Sequence, residues 1–394
     1  MGSRGHTAKV LATTLLGTLD TTALIPVIAI YAHEVVGADL LQTGIIVGLY
    51  SAVHAPANFL FGRLMDRTGR RWPLRFGLLW DALSIFLYSF ATTPWLLALV
   101  RVSHGVGGGL IGPSTMSFAV DAAPPERRGR AMGYYGMVIA LAFIVGTGMA
   151  VPIERGPGFE ALFRILAVGL LVGLVISLTM REPRPVERRV AADWTRVAKY
   201  VRGPEPLAGY AAIFSLHFLQ GTSVSLVALL IDGRFGPAFR GIGFTAFAVA
   251  SMVAHYFGGR LADLQGSARP TLAGLLIAAA AIAAIPLAQS SSFLVVLMVL
   301  FGVGHGFVFP ASSALVARRA SPEFLGVVTG LFYAVLVIGV AVGAPVIGAV
   351  ASSFGLEVAI TASAIVILPT LPFVARALAT STSAAGEERV STVR

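Results

Sequence analysis

Three ionisable side chains lie inside long apolar runs of the chain: Asp20, Arg101 and His217. A charged side chain at the centre of a bilayer costs about 2.5 kcal/mol or more, so such a group normally faces a cavity or a partner. The carboxyl group of Asp20 can take up and release a proton, whereas Arg101 keeps its proton and needs an acid, carbonyl oxygens or an anion beside it. His217 could bind a proton or a ligand, or only its own helix. These residue types predict proton coupling through Asp20, Arg101 and His217.

Each charged residue also has a structural alternative. Asp20 could do no more than hydrogen-bond to a neighbouring helix. Arg101 lies about six residues from the end of its apolar run, so its side chain could extend to the membrane surface instead. Asp81 could pair with Arg101 by charge, but its place near the other end of its own run predicts that the two do not meet.

Polar and aromatic residues in other apolar runs are candidates for the lining of a cavity. Tyr50, His54 and Asn58 recur every four residues and would form one polar stripe on a helix. The remaining candidates are His104, Gln220, His255, His305 and Tyr333. Because charges are few, such a lining favours hydrophobic or amphipathic small molecules over sugars. No histidine has another histidine or an acid four residues away, so we expect no metal site, although imidazole suits transition metals.

The composition places these residues in a membrane protein. Of the 394 residues, 56% are hydrophobic and 12% are charged. Soluble proteins carry about 25% charged residues, and a membrane-spanning helix needs about 20 apolar ones. Long continuous runs predict helices rather than alternating strands, and hence an all-α integral membrane fold with twelve transmembrane helices. The runs are 10–32, 42–61, 74–92, 95–120, 131–151, 161–180, 207–231, 241–259, 271–288, 293–316, 325–350 and 356–375.

The net charge of +10 is distributed unevenly between the two sides of such a bundle. With a cytoplasmic N-terminus, most of the 29 Lys and Arg residues fall on the cytoplasmic side, as the positive-inside rule requires. The sequence therefore predicts a multi-pass protein of a prokaryotic-type inner or plasma membrane, with both termini cytoplasmic. It also predicts that the basic charge faces membrane lipid, and that there is no nucleic-acid partner.

One sequence pattern occurs twice, 197 residues apart. Gly-Arg-Leu-x-Asp begins at Gly62 and again at Gly259, and Gly69 recurs as Gly266. Six helices in each copy make the two halves parallel, related by an axis along the membrane normal. Other pairs at the same offset are Gly105 and Gly302, Gly107 and Gly304, Pro113 and Pro310, and Asp20 and His217.

This repeat predicts the domain organisation. Residues 1–180 form an N-terminal six-helix bundle and residues 207–378 a C-terminal one, pseudo-symmetric with it. The segment 181–206 is rich in Pro and Arg and predicts a cytoplasmic linker with a short surface helix near Trp194. Residues 379–394 are expected to form a cytoplasmic tail.

Several function classes are excluded. The chain has no Cys, which removes disulfides, thiolate metal sites and Cys nucleophiles. It contains no G-x-x-x-x-G-K-[ST] loop and no Ser-His-Asp pattern. We therefore expect neither an enzyme nor a cofactor, and a proton gradient rather than ATP as the energy source.

Two motifs resemble those of the major facilitator superfamily. GRLMDRTGRR, from Gly62 to Arg71, resembles its loop signature between the second and third helices. RVSHGVG, from Arg101 to Gly107, resembles its fourth-helix signature R-x-x-Q-G-x-G, with His104 in place of Gln. The chain looks most like the twelve-helix drug–proton antiporters. The antiporter Gly/Pro motif is matched only loosely, however, and in the eleventh helix (339–348) rather than the fifth.

The resemblance implies a monomeric secondary transporter. We expect proton-coupled export of lipophilic or amphipathic small molecules by alternating access of the two halves. One alternative is a lipid or lysolipid flippase with an apolar lateral opening. Another is a proton-coupled importer of an organic anion, with Arg101 as the clamp for that anion. A sensor or scaffold would need a long soluble domain, which the sequence lacks.

The resemblance also implies that the charged motif is a conformational gate. Asp66 would lie near the start of a helix in the opposite half, where the helix dipole favours an acid. Arg70 would pair with Asp121 and hold an outward-facing state. The other members of this predicted gate are Gly62, Gly69, Arg71 and Asp263. Alternatively, the arginines only bind lipid headgroups.

Overall fold

The computed structural model describes residues 2–121, 128–182, 194–321 and 323–380. In these ranges nearly all residues are helical and no β-strand occurs. The helices of the first half are α1 (Gly2–Leu24), α2 (Ile28–Ile30), α3 (Leu40–Thr68), α4 (Arg71–Leu87), α5 (Pro94–Asp121), α6 (Arg128–Arg155) and α7 (Phe159–Leu178).

The second half repeats this order after the linker. The linker contains α8 (Trp194–Val201), the short helix expected near Trp194. The remaining helices are α9 (Pro204–Thr222), α10 (Ala228–Phe235), α11 (Pro237–Gln265), α12 (Ala268–Ala284), α13 (Ser291–Ala317), α14 (Leu325–Phe354) and α15 (Leu356–Ser363). A π-helical turn joins α9 to α10, and helical structure continues after α15 to residue 380.

The structure confirms the predicted fold class. Ten helices in the described ranges are long and apolar enough to cross a membrane, and the pair Gly5–Leu24 and Ile28–Val35, bent by 48°, makes an eleventh. The remaining span is α4, which has 17 α-helical residues and is extended by a 3₁₀ turn, Tyr88–Phe90. The bend of the first span coincides with Pro26, which has no backbone N–H and disfavours helical backbone before it.

The internal repeat is visible in the helix boundaries. The bounds of α3 and α11 are 197 residues apart at both ends, and so are those of α4 and α12. Gly69 ends α3 with φ +80° and Gly266 ends α11 with φ +81°, a left-handed conformation that favours glycine. The repeated glycines therefore form equivalent turns at one end of the bundle, which we name the basic end.

The two halves pack closely at the opposite end, the far end, which carries the turns at Gly158, Gly236 and Gly355. A Cβ atom at Gly44 of α3 would overlap the carbonyl oxygen of Ala344 in α14 and lie 3.0 Å from its carbonyl carbon. On the other side, α6 packs against α11, where the Thr147 and Thr245 hydroxyl oxygens are 3.4 Å apart. The structure is thus closed between the halves at the far end.

At the basic end, the charged motif is tied to its own half. The Glu182 carboxylate accepts hydrogen bonds from the backbone N–H groups of Arg70 (2.6 Å) and Arg71 (3.1 Å), at the start of α4. Arg75 donates to the carbonyl oxygens of Ser177 and Leu178, which end α7. These bonds satisfy two helix ends that would otherwise lack partners.

Candidate functional site

A buried group of two acids and a histidine lies within the first half. His104 Nε2 is 3.0 Å from Asp20 Oδ2 and 3.9 Å from Asp81 Oδ1. These residues, from α5, α1 and α4, are at most 1% exposed. We name them the Asp20 cluster. One possible ligand atom of each residue lies within 4.8 Å of the ligand atoms of the other two residues. Within the described ranges, these three residues are the group that could together hold a metal ion.

Part of the Asp20 cluster has no hydrogen-bond partner. Asp20 Oδ1 and both carboxylate oxygens of Asp81 are buried and accept no hydrogen bond from any residue that the structure describes. A buried polar group without a partner costs free energy unless it carries a proton or binds something. These oxygens are therefore the atoms of the cluster that are available to bind a proton.

A chain of hydrogen bonds joins Arg101 to Asp20. Arg101 Nη1 donates to the Tyr88 hydroxyl (3.3 Å), which lies 3.0 Å from His104 Nδ1. A hydroxyl that accepts from a guanidinium is free to donate its own proton, here to Nδ1. His104 then carries its proton on Nε2 and donates it to Asp20 Oδ2. Arg101 thus sets the tautomer of His104 through Tyr88, a residue that the sequence analysis missed.

Arg101 is buried rather than extended to the surface. Its Nε donates to Ile46 O (3.1 Å) and its Nη2 to Val47 O (2.9 Å), and its guanidinium lies 5.0 Å from the centre of the Tyr50 ring. The side chain is 5% exposed. The alternative of an arginine at the membrane surface is therefore wrong, and carbonyl oxygens are its main partners.

The expected place of Asp81 was also wrong. Asp81 is not near the end of its span: α4 begins ten residues earlier, at Arg71, and the carboxylate lies beside His104. A useful signal was present in the sequence, because Asp81 is a second acid in an apolar run. Its neighbour Asp20 is 61 positions away along the chain, so sequence spacing could not reveal that the two acids lie close together.

The fourth-helix motif makes room for this site. A Cβ atom at Gly107 would overlap the Asp81 carboxylate and lie 2.8 Å from its carboxyl carbon. A Cβ atom at Gly108 would lie 3.2 Å from Cζ of Tyr50. Gly107 of this motif and the adjacent Gly108 therefore allow the close approach of α5 to the acid on α4 and to the aromatic ring on α3.

We expect Gly107→Ala to lower pH-driven transport at least several-fold and to destabilise the protein by about 1–3 kcal/mol, because the added methyl group must displace a buried carboxylate. Gly112→Ala is the matched control, since a Cβ atom at Gly112 of the same helix meets nothing within 4 Å. Thermal unfolding and transport in proteoliposomes measure both effects. Equal results for the two variants would contradict this role of Gly107.

The predicted polar stripe on α3 lies beside the Asp20 cluster. The Tyr50 ring centre is 4.6 Å from that of His104 and 5.2 Å from that of His54, and the Tyr50 hydroxyl is 3.1 Å from Thr21 Oγ1. Asn58 Oδ1 is buried without a partner in the described ranges. His104, expected on a cavity wall, is instead fully buried inside the hydrogen-bond chain.

A second group of titratable side chains lies in the other half. His305 on α13 has its ring centre 5.6 Å from those of His217 on α9 and His255 on α11. We name these three residues the histidine cluster. His217 Nδ1 bonds to the carbonyl oxygen of Ile213, not to the Asp20 cluster, so its proton-coupling role stays a prediction. Gln220 lies one turn further along α9, with both amide atoms buried and unpartnered within the described ranges.

Tyr333, the remaining candidate for the cavity lining, lies on α14 and is 43% exposed. Its ring centre is 6.3 Å from that of Phe309, which also contacts the rings of His255 and His305. Tyr333 therefore belongs to the aromatic surroundings of the histidine cluster.

The predicted gate is described only in part. Gly62 lies within α3, whereas the side chains of Asp66 and Asp121 lie outside those that the structure describes, so the pairing of Asp121 with Arg70 stays a prediction. Asp263, the repeat equivalent of Asp66, is 3.5 Å from Arg318 and 81% exposed. An ion pair this exposed contributes little.

We expect Asp66→Ala to reduce transport several-fold and Asp263→Ala to reduce it less than twofold. The first motif copy carries most of the arginines, and Asp263 forms only an exposed ion pair, worth about 0–1 kcal/mol. Initial transport rates of the two purified variants in proteoliposomes measure the difference. A larger effect of Asp263→Ala would show that the second copy, not the first, is the gate.

The halves are also joined by a buried ion cluster at the far end, which the sequence analysis did not find. Arg240 of α11 is fully buried; it bonds to Glu154 of α6 and lies 3.2 Å from Asp232 of α10. Glu154 belongs to the first half and the other two residues to the second. The sequence offered only a weak signal, charges next to the ends of apolar runs.

An apolar groove of about 1390 Å³ lies between the halves. It is lined by α6, α11 and α13, and many of its side chains are aliphatic or aromatic. Members of its lining are Gly148, Val151, Ile242, Val249, Phe257 and Val303, with Arg155 among its few polar residues.

Comparisons with known proteins agree with this architecture. The family model described as the Major Facilitator Superfamily matches residues 10–236 and 210–391. "Multidrug resistance protein 1" of Bacillus subtilis is 27% identical over 212 residues, 53% of this chain and 52% of that protein. "Tetracycline resistance protein, class H" of Pasteurella multocida is 33% identical over 141 residues, 35% of this chain and 34% of that protein. The matched stretch thus spans about half the length of the first relative and a third of the second.

Solved structures show the same fold over nearly the whole length. A bacterial homolog of the human lysosomal transporter Spinster, in an inward-facing and unoccupied conformation, has a TM-score of 0.82 at 17% identity. The similarity covers 96% of this chain and 98% of that one. The family model covers most of the sequence and the fold agrees with it, so the chain belongs to the Major Facilitator Superfamily, whose members are transporters rather than enzymes.

Proposed function

We propose that the protein is a proton-coupled secondary transporter that exports lipophilic or amphipathic small molecules by alternating access. The main support is the Asp20 cluster. Asp20 and Asp81 bring two carboxylates within 4.8 Å of each other and of His104, away from water. Two carboxylates this close in a low-dielectric site repel each other strongly unless one proton or another cation is added. The cluster is therefore suited to hold one proton and to release it.

The shape of the bundle supports alternating access. With the basic end on the cytoplasmic side, contacts between the halves close the extracellular side, as in an inward-facing transporter. The Spinster homolog with the same fold was solved in an inward-facing conformation. Opening to the outside would have to break the Arg240 ion cluster and separate α3 from α14. The protein would work as a monomer in a prokaryotic-type inner or plasma membrane, with both termini cytoplasmic.

Export of amphipathic compounds has two supports. The candidate lining carries few charges, and the residues around the histidine cluster are aromatic. Two relatives by sequence are named for resistance to several drugs or to tetracycline. Import of an organic anion is less well supported, because the guanidinium of Arg101 is already bonded to two carbonyl oxygens and Tyr88.

The apolar groove favours a second candidate, the lipid or lysolipid flippase. At about 1390 Å³ it is large enough for an acyl chain, and its position between α6 and α11 would allow lateral entry. The two functions separate experimentally. An exporter accumulates a soluble amphipathic probe only when a pH gradient is imposed on proteoliposomes, and Asp20→Asn removes this accumulation. A flippase moves a fluorescent lysolipid between leaflets in the same vesicles without a gradient.

A further inference from the structure

The histidine cluster holds its rings in a defined protonation pattern. His217 Nδ1 is 3.0 Å from Ile213 O, and His255 Nδ1 is 2.6 Å from Ser251 O. A carbonyl oxygen can only accept, so in both rings Nδ1 carries the proton. The Nε2 atom of a neutral ring is then an acceptor. It has no hydrogen-bond partner among the residues that the structure describes.

The third ring, His305, carries its proton on Nε2, because the Ser251 hydroxyl has no other acceptor among the described residues and donates to His305 Nδ1. His305 Nδ1 is 2.8 Å from the hydroxyl of Ser251, and its ring lies between those of His217 and His255. Three helices thus bring three imidazoles side by side, each with Nδ1 bonded to the protein and Nε2 unbonded within the described ranges. His255 and His305 are only partly buried, so a ligand can reach them.

The surroundings of the histidine cluster are aromatic and uncharged. The Phe247 ring centre is 5.5 Å from that of His305, and the Phe309 ring centre is 5.5 Å from that of His255. In the described part of the chain, no Asp, Glu, Lys or Arg forms a hydrogen bond or an ion pair with the three rings. The site therefore offers two hydrogen-bond acceptors, Nε2 of His217 and of His255, one donor, Nε2–H of His305, and π faces, but no fixed charge while the rings are neutral.

We propose that the histidine cluster binds the N–H groups of an amphipathic primary or secondary amine, whose apolar body packs against Phe309 and Tyr333. An ammonium group supplies the donors that the Nε2 acceptors lack, and aromatic faces attract its charge. A carboxylate brings only acceptors, which suit His305 but face the two unprotonated Nε2 atoms of His217 and His255, so it is disfavoured. The proposal rests on the proposed function, because it names the substrate class of the same transporter.

The decisive comparison is between cations that differ only in their N–H groups. Naphthylethylamine, its N,N,N-trimethyl derivative and naphthylpropionate share one apolar body, and binding to the purified full chain is measured at pH 8, where imidazole is neutral in water. We expect the amine to bind at least about tenfold more tightly than the trimethyl cation, the equivalent of one hydrogen bond to a charged group. Naphthylpropionate should bind most weakly. Equal affinity of the two cations overturns the proposal.

Variants locate the preference within the protein. In His255→Phe the amine should lose most of its tenfold advantage while affinity for the trimethyl cation is unchanged, which also shows that the variant is folded. His255→Gln keeps an acceptor and should retain most of the preference, and so should His305→Phe, which removes no acceptor. His33→Phe is the matched control, because His33 lies at the far end and bonds to Ala38 O. A preference for the amine that survives both His217→Phe and His255→Phe overturns the proposal.

The result is separable from the proposed function. If Asp20→Asn abolishes pH-driven transport but the two cations bind equally, the proposed proton-coupled transport is supported and the proposed amine site is wrong. If the preference for the amine holds but a pH gradient drives no transport of it, the binding site stands and the proposed function is wrong.

Discussion

Asp20→Asn is expected to reduce pH-driven transport to the rate of protein-free liposomes. Asparagine keeps the size of the side chain and can still accept the hydrogen bond from His104, but it cannot take up a proton. Without that proton, reorientation of the halves is no longer linked to the gradient. The measurement is accumulation of an amphipathic amine in proteoliposomes with an imposed pH gradient.

Exchange of labelled for unlabelled substrate distinguishes lost coupling from lost folding. This exchange needs substrate binding and reorientation of the loaded protein but no net proton movement, so Asp20→Asn should retain it. Asp39→Asn is the matched control, because Asp39 caps the exposed start of α3 and Asn is an equally good cap. If Asp20→Asn still accumulates substrate along the gradient, Asp20 is not the coupling residue, and Asp81→Asn becomes the next variant to examine.

Arg240→Leu is expected to weaken the closed arrangement at the far end by about 3–5 kcal/mol, the typical cost of removing one partner from a buried ion pair. The change leaves Glu154 and Asp232 without the guanidinium between them. Because Glu154 belongs to the other half, the loss falls on the contact between the halves. We expect a lower Tm and a shift of the population toward an arrangement that is open at the far end.

The chain has no Cys, so a cysteine pair can report this shift directly. Thr147 and Thr245 face each other across the halves, and the double variant Thr147→Cys, Thr245→Cys should cross-link readily in the parent and poorly with Arg240→Leu. Arg234→Leu is the control, since Arg234 pairs with Glu357 inside the second half. Unchanged cross-linking in Arg240→Leu would mean that the ion cluster does not hold the halves together.

Much of the fold follows from local properties of the sequence. Apolar runs of about 20 residues can satisfy the hydrogen bonds of their backbone groups in lipid only as helices. The twelve spans could therefore be predicted from the positions and lengths of these runs. The offset of 197 residues recurs in the bounds of α3 and α11 because both copies place glycine where the chain turns with positive φ. Asp20 and Arg101 could be singled out because a charge in an apolar run needs a reason to be there.

The partners of these residues were decided by tertiary structure. Asp81 was placed near a helix end and is instead beside His104, because the packing of α4 against α5 brings the two together through the small residue Gly107. His305 meets His217 and His255 only because α9, α11 and α13 converge in the second half. The sequence by itself determined which segments span the membrane and which side chains are costly there. Which of these side chains meet depends on helix rotation and close packing, which linear spacing does not encode.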